Sequence, residues 1–492
     1  MTQEATEIGT RLEMFVDDEL IDRIGGGASL RLHSPAMKEL ALVTDRPWEG
    51  NMCGGYKTYF HDRSGFRMYY QAWNGVIVEE DGKARMQEAP IRIGYLESDD
   101  GINWRRPSLG VVEFEGSTDN NITFDGIGTE CKGVHGFAPF KDTNPACLPE
   151  ARYKALGANA GVWPLKLYAL QSPDGIRWSL MYEEPLAVKG AFDSQNLAFW
   201  DATRDEYRAY VRDFSAKSLR GIRTCTSPDF LHWSEAEWLA FPGAPEEQLY
   251  TNQVLPYYRA PHLFLGFPAR YVERPWSPTI EALPEPAHRR LRARVSERYG
   301  AAISDALFMA SRDGRTFKRW DEAFIRPGLR PVGSWAYGDC YMGWGMLETR
   351  SDVTGAPNEL SLFATEGYWR GKANAIRRYT LRIDGFVSLH APLGGGELVT
   401  KPFTFSGAAL LLNISTSAGG GARVEIETAD GCPLEGFGLD DCVEIIGDDL
   451  AFPVRWRGDL RTLVGQPVRL RFVLRDADLY SYRFALAERE RG

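Results

Sequence analysis

No two cysteines in this chain are spaced Cys-x-x-Cys. The seven present (Cys53, Cys131, Cys147, Cys225, Cys340, Cys432 and Cys442) lie far apart. That spacing excludes a zinc ribbon and a dense disulfide framework, so free thiols and no metal-ligating cluster are expected. No stretch approaches the roughly 20 apolar residues of a membrane-spanning helix. Residues Met1 to Thr10 are polar and acidic, without the basic and apolar regions of a secretion signal. A cytoplasmic protein with no membrane partner is the expectation, although removal of a leader would leave the same sequence. A Gly-rich phosphate loop, a His-Glu-x-x-His motif, a Gly-x-Ser-x-Gly elbow and an EF-hand loop are all absent. Nucleotide-dependent, zinc-peptidase and serine-hydrolase chemistry thus lose their usual support. Positive charge is in deficit, with 57 Lys and Arg against 67 Asp and Glu for a net −10, which argues against a nucleic-acid partner. Helix signals are scarce.

What the chain does have is turns and aromatics: fifty glycines, 14 tryptophans and 12% aromatic residues in 492. One pattern, Ser-x-Asp-x-x-x-aromatic, occurs four times. Its copies are Ser98 to Trp104, Ser172 to Trp178, Ser227 to Trp233 and Ser311 to Phe317. Asp tolerates left-handed backbone and caps its own turn, Ser adds a local hydrogen bond, and the ring anchors the strand that follows. The spacing suits one four-stranded antiparallel unit per copy, the blade of a β-propeller.

Strand-like runs fill the intervals in a repeating order. Blade one holds 56–60, 66–72 and 91–96; blade two 136–140, 153–156 and 167–170; blade three 196–200, 207–212 and 222–225; blade four 253–258, 262–267 and 306–310. A fifth unit with 341–347, 360–364 and 376–381 ends in a worn turn, Arg382 to Phe386. The Arg-rich segment Glu285 to Arg298 is a helix-capable insertion inside blade four, read as a solvated face or as a lid or subunit contact. From Gly394-Gly395-Gly396 onward, alternating segments at 409–414, 423–427, 468–474 and 479–484 read as a β-sandwich. The expected fold is all-β: a five-bladed β-propeller over 1–392, N-terminal segment included, followed by a β-sandwich over 393–492.

Inner strands of a propeller converge on one axial funnel, so the residues that open them can meet although distant in sequence. These are Glu49-Gly50-Asn51, His135, Asp193-Ser194-Gln195-Asn196, Tyr250 to Gln253, and Tyr337-Gly338-Asp339. Three of the five groups carry a carboxylate. Glycosidic bond cleavage needs two, one protonated towards the leaving oxygen and one ionised as nucleophile or base. Glu49, Asp193 and Asp339 are therefore candidate catalytic groups, with Glu366 beside Tyr368 and Trp369 as a fourth. His135, Gln195, Asn196, Asp213, Asn252, Arg270, Tyr368 and Trp369 are candidates for substrate binding. Each has a structural alternative: turn capping for the carboxylates, ion pairs for Arg212-Asp213 and Arg270, packing for the rings.

With these features assembled, the chain resembles the five-bladed propeller glycoside hydrolases, the group of families 32, 43, 68, 117 and 130, with a trailing sandwich most like family 32. The resemblance implies an acidic residue opening blade one, matched by Glu49, and an acid from blade three, matched by Asp193. The sequence departs from the family 32 motifs, with Trp48-Glu49-Gly50-Asn51 in place of Asn-Asp-Pro-Asn and Arg212-Asp213-Phe214 in place of Arg-Asp-Pro. The implied activity is hydrolysis of an oligosaccharide, a furanoside among the candidates, with Asp193 as acid or base, Glu49 as its partner and Asp339 or Glu366 as stabiliser. No organic cofactor is implied, while a structural metal ion on the propeller axis and a homo-oligomer are both compatible. A noncatalytic glycan-binding propeller and a glycoside phosphorylase are the alternatives.

Overall fold

The computed structural model describes residues 5–62, 65–328, 335, 338–370 and 374–486. Tyr337 lies outside the described residues. The chain forms two compact units, one of residues 35–257 and 261–381, the other of 1–34, 258–260 and 382–492.

Five antiparallel sheets, counted among the described residues, follow one another through the first unit, and they are the blades of a five-bladed propeller. Blade one is Lys57–Asp62, Gly65–Ala72, Arg92–Ser98 and Ile122–Phe124. Blade two is His135–Lys141, Tyr153–Ala158, Leu167–Ser172 and Ser179–Leu180. Blade three is Leu197–Asp201, Glu206–Phe214, Arg220–Ser227 and Glu237–Trp238. In blade four, Leu255–Tyr257, Ala260–Gly266, Ile303–Ser311 and Lys318–Ile325 are joined by Gln248–Leu249 and Ala269–Val272. Blade five takes Leu347–Thr349, Glu359–Glu366 and Ala375–Leu381 from its own stretch of sequence, and its outermost strand is Ala36–Val43. An early strand thus completes the last blade and leaves the ring without a free seam.

The repeated turn works as its chemistry requires. Ser98 Oγ accepts from the Gly101 amide at 2.9 Å, and Asp100 Oδ1 accepts from the Ile102 and Asn103 amides, each at 2.8 Å. The same bonds recur at Ser172/Asp174, Ser227/Asp229 and Ser311/Asp313. The closing ring packs on the preceding blade: Trp178 against Tyr69, Phe317 against Tyr210, and Trp104 of blade one against Phe363 of blade five. The motif therefore records the seams between blades as well as the ends of strands. Burial opposes ionisation of Asp100, but the Asn103 and Ile102 amides outweigh it and hold its carboxyl down to about 2. A depressed folded-state pKa contributes stability above the unfolded value of roughly 3.9 and loses it as pH falls through the folded one. Asp100→Ala is accordingly expected to lower the free energy of unfolding by about 1 kcal/mol at neutral pH. Urea titrations should show this deficit closing between roughly pH 4 and pH 2.

One hydrogen-bonded ring ties the inner strands of all five blades together. Gln195 Nε2 donates to Thr58 Oγ1 at 3.0 Å and to Phe137 O at 3.3 Å; Gln253 Nε2 donates to Gln195 Oε1 at 2.8 Å and to Met342 O at 2.9 Å. Beside it, Lys57 is fully buried and its Nζ donates to Gly54 O, Tyr341 O and Thr365 Oγ1 at 2.7, 2.8 and 2.9 Å. Three acceptors for three N–H groups bind blade one to blade five.

In the second unit, ten strands form one sheet that folds into the β-sandwich. Its boundaries differ from the expected 393–492. The strands Thr6–Gly9, Glu13–Met14, Ile21–Gly25 and Ser29–Leu32 pair with Phe403–Phe405, Val468–Ala485, Gly396–Thr400 and Val387–Ala391, so residues 1–34 belong here and not to the propeller. Short N-terminal runs with few apolar residues carried no sign of these distant partners. The segments expected as separate strands at 409–414 and 423–427 are one strand, Ala409–Thr428, and those at 468–474 and 479–484 are one strand, Val468–Ala485. Their glycines and Asp476 make an irregularity in register between Thr416 and Gly421 and no chain reversal.

Candidate functional site

The residues that open blades two and three lie together because a glycine allows it. Gly136 has φ +63, and a Cβ there would sit 2.1 Å from Ser194 O, so only glycine lets the two strand openings come this close. His135 and Asp193 are brought face to face, with Nε2 and Oδ1 3.2 Å apart. The loop beneath Asp193 is pinned by its neighbours: Ser194 Oγ donates to Tyr250 O at 2.8 Å, and Asn196 Nδ2 donates to Phe192 O and Ser194 O at 3.1 and 3.0 Å. Asn196 Oδ1 accepts from the Arg212 amide at 3.0 Å. Of the four consecutive polar side chains, three are used on the scaffold and Asp193 alone faces the cavity.

That cavity encloses about 550 Å³ and is walled by rings, among them Tyr56, Trp73, Tyr250, Tyr299, Tyr368 and Trp369. Asp193 retains 32% side-chain exposure within it. Its Oδ2 lies 3.6 Å from Arg212 Nη2 and accepts from Tyr250 OH at 3.5 Å. Burial would raise the Asp193 pKa, but His135, Arg212 and Arg298 outweigh it, and the carboxyl is held below its ordinary value. The Tyr250 phenol is pushed up to about 12, first by burial and then by the Asp193 charge, so it remains a donor.

A second carboxyl, Glu88, lines the same cavity. It ends the strand Lys83–Glu88, which pairs with Gly75–Glu80 in a hairpin inserted into blade one, and its register partner is Gly75. Gly75 is fixed on both sides: its amide donates to Asn51 Oδ1 at 3.1 Å, and its carbonyl accepts from Asn51 Nδ2 at 3.1 Å and Trp369 Nε1 at 3.0 Å. The root of the hairpin is thus tied to the ring system of the wall. Although Glu88 is exposed as a residue, partial burial of its carboxyl raises its pKa, His135 opposes this, and the Asp193 charge adds a smaller rise. The two carboxyls thus share one cavity but differ in setting, Asp193 beside His135 and Arg212 and Glu88 at the exposed end of its hairpin strand.

The structure brings His135, Asp193, Tyr368 and Trp369 of the expected site residues into the cavity and places the others elsewhere. Glu49 is fully buried, accepts from Tyr70 OH and is clamped by Arg106 Nε and Nη2, each at 3.0 Å, in an ion pair that does not line the cavity. Asp339 Oδ1 accepts from the Tyr368 amide at 2.8 Å, and so supports the wall without reaching the cavity. Glu366 is paired with Arg377. Gln195 belongs to the axial ring and Asn196 to the loop, as above. Asp213 pairs with Arg223 at 3.2 Å, Asn252 spans Tyr210 O and the Val254 amide, and Arg270 is held by Asp305 at 2.6 Å and Glu247 at 3.0 Å. In each case a neighbouring opposite charge or backbone group in the folded chain takes the side chain away from the funnel. Glu88 went unseen, although Asp81-Gly82 between alternating residues is a hairpin signal, and both take positive φ there.

For an axial ion, the ring of Gln195, Gln253 and Thr58 offers neutral oxygens only, of which Gln253 Oε1 has no partner. Among the described residues no three of His, Cys, Asp and Glu converge. This donor set does not suit a hard cation, which takes six or more oxygens with carboxylates among them. Among the described residues, no helix is long and apolar enough to cross a membrane.

No protein-family model and no curated protein matches the chain. Several solved structures are similar to it at low identity. An N-acetylgalactosamine deacetylase from F. plautii in complex with blood group B trisaccharide is 12% identical, over 71% of this chain and 94% of its own, with a TM-score of 0.43. An endo-arabinase from Bacteroides thetaiotaomicron is 7% identical over 70% and 98%, with a TM-score of 0.40. A Bombyx mori GH32 beta-fructofuranosidase is 10% identical over 93% and 94%, with a TM-score of 0.37. At these scores the fold rests on the strand pairing described above.

Proposed function

We propose that the protein is a glycosidase that cleaves a glycosidic bond of an oligosaccharide in the propeller cavity, with Asp193 as the ionised carboxylate and Glu88 as the acid. The observation that carries this reading is geometric: two carboxyls, Asp193 and Glu88, line one cavity walled by aromatic rings. Glycosidic bond cleavage uses two such carboxyls, and Asp193, set between His135 and Arg212, suits the ionised member, which leaves the proton donor's part to Glu88. The rings supply faces on which the apolar side of a sugar can stack, and His135 and Tyr250 keep Asp193 oriented and charged. Proton donation by Glu88 to the leaving oxygen, with Asp193 as nucleophile or as base towards water, needs no organic cofactor.

A screen of nitrophenyl furanosides and pyranosides together with natural oligosaccharides, read by mass detection, tests the activity. The role of Glu88 has its own signature, because an acid matters only when the leaving group needs a proton. Glu88→Gln is expected to reduce turnover of a natural oligosaccharide about 10²–10⁴-fold. Turnover of the dinitrophenyl glycoside of the same sugar should change little, and the alkaline limb of the pH–rate profile should disappear. Equal losses on both substrates would remove Glu88 from the acid role.

A further inference from the structure

The rim of the cavity differs from side to side. The helical insertion of blade four, Pro278–Glu281, Pro286–Ala293 and Glu297–Ala301, lies between the strands Ala269–Val272 and Ile303–Ser311. Its Arg289 is buried and donates to Gly300 O at 2.8 Å, so the Arg-rich segment is in part an anchor and not only a solvated face. The insertion reaches the cavity wall through Tyr299, and the hairpin of blade one reaches it through Met86 and Glu88. Arg294 ties the two elements together, donating from Nη1 to Glu79 Oε1 at 2.6 Å and from Nη2 to Gly82 O at 3.1 Å. That side of the rim is bridged.

On blade two the rim is built differently. The loop 159–166 is fixed at its base by the buried Asn159, whose Oδ1 accepts from the Lys166 amide at 2.6 Å and whose Nδ2 donates to Val162 O at 3.1 Å. The Ala160 amide donates to Glu130 O at 3.2 Å and holds the loop against the turn closed by Ile127 and Lys132. From this loop Trp163 lines the cavity while remaining 70% exposed. An indole so placed presents apolar surface that nothing in the folded chain covers, of the kind on which the face of a sugar stacks.

Through Lys166 the same loop borders a second hollow, of about 420 Å³. Thr129 lines both hollows and makes them continuous. Glu130, Lys132, Lys166, Glu183 and Glu184 surround the second one. Lys132 Nζ is held by Glu183 O at 3.1 Å and lies 5.6 Å over the Tyr168 ring. Ammonium groups donate and carboxylates accept, and the hydroxyls of a sugar can use both. With three carboxylates against two ammoniums, the hollow has no excess of positive charge that would call for an anion. The cavity itself, at about 550 Å³, is of the size that takes one drug-sized molecule, so it holds a short piece of an oligosaccharide and the rest must leave over the rim.

We infer that the blade-two hollow is a second sugar-binding subsite, which takes the units of the oligosaccharide beyond those in the cavity, with Trp163 as the stacking platform at the rim. This rests on the glycosidase reading and narrows its substrate to chains long enough to span both hollows.

The probes are arabino-, xylo-, galacto- and fructo-oligosaccharides of one to five units, titrated calorimetrically into the wild type where it leaves them intact and into Asp193→Asn where it cleaves them. In at least one series the affinity should rise about tenfold or more between the two-unit and the four-unit chain. Trp163→Ala should cut that rise to about threefold or less. So should the double variant Lys166→Ala, Glu184→Ala, which alters only exposed residues and keeps the test open if Trp163→Ala fails to fold. The rise is a ratio within one protein, so a smaller folded fraction does not imitate its loss. An affinity that is flat beyond two units, or a rise that survives in the double variant, would overturn the inference and leave the glycosidase reading standing. A rise that these substitutions abolish, in a protein that cleaves none of the series, would keep the subsite and remove the cleavage. Failure of every series to bind, together with a silent oligosaccharide screen, would remove both readings.

Discussion

Asp193→Asn is expected to lower the turnover of whichever oligosaccharide the screen identifies by about 10³-fold or more, within the range known for removal of a positioned acid–base or nucleophilic group. The substitution keeps the size of the side chain and an acceptor oxygen towards Tyr250, but it removes the charge that Arg212 and His135 face. Binding of the sugar should survive, because the aromatic wall is untouched. The comparison of kcat with the dissociation constant of an uncleaved ligand therefore separates an enzyme from a binding protein. A glycan-binding propeller would have no turnover to lose, and a variant with full turnover would place the chemistry elsewhere. Loss of activity accompanied by unfolding would be detected by circular dichroism, and Asp193→Glu, which restores the charge at a shifted position, then serves as the second variant.

Glu49→Gln is expected to do the opposite. Glu49 meets Arg106 at both Nε and Nη2, and its side chain has no exposure. Removing the Glu49 charge leaves Arg106 with Asp45 alone, 3.4 Å from Nη2, and costs about 2 kcal/mol, less than the full loss of a buried pair. The unfolding midpoint in urea should fall, while turnover per folded molecule remains within about twofold of the wild type, a surface or scaffold change having little access to the transition state. A Glu49→Gln protein that is fully stable but inactive would return Glu49 to the catalytic role that its place before blade one suggested. Glu49→Gln and Glu88→Gln together decide whether the carboxylate before blade one or the hairpin carboxylate at 88 is the partner of Asp193.

The propeller was legible because its signals are local. A Ser, an Asp and an aromatic ring within seven residues specify a turn by their own hydrogen bonds, and the turn at Ser98 to Trp104 needs nothing distant to form. The alternation of strands such as Gly65–Ala72 is equally local. What escaped detection depends on partners far along the chain. The strand Ala36–Val43 has no turn motif beside it and acquires its meaning only from Ala375–Leu381. In the site, Asp193 and His135 were legible as polar residues at strand openings, but Glu49, in an equivalent position, is claimed by Arg106, 57 residues away. Sequence position alone could not distinguish a carboxylate facing a cavity from one facing a guanidinium. Glu88 shows the converse: a residue on a hairpin outside the repeat is placed by Gly75, Asn51 and Trp369, none of which marks it in the linear pattern.

The nesting of one unit within the other has a consequence for biosynthesis. The strands between Thr6 and Leu32 leave the ribosome before their partners, which begin at Val387, about 350 residues later. At roughly 5–20 residues per second this is a delay of about 20–70 s. Throughout that interval the strands between Thr6 and Leu32 carry edges without their native partners, so association of the unfinished chain through those edges is the hazard that this order of synthesis creates.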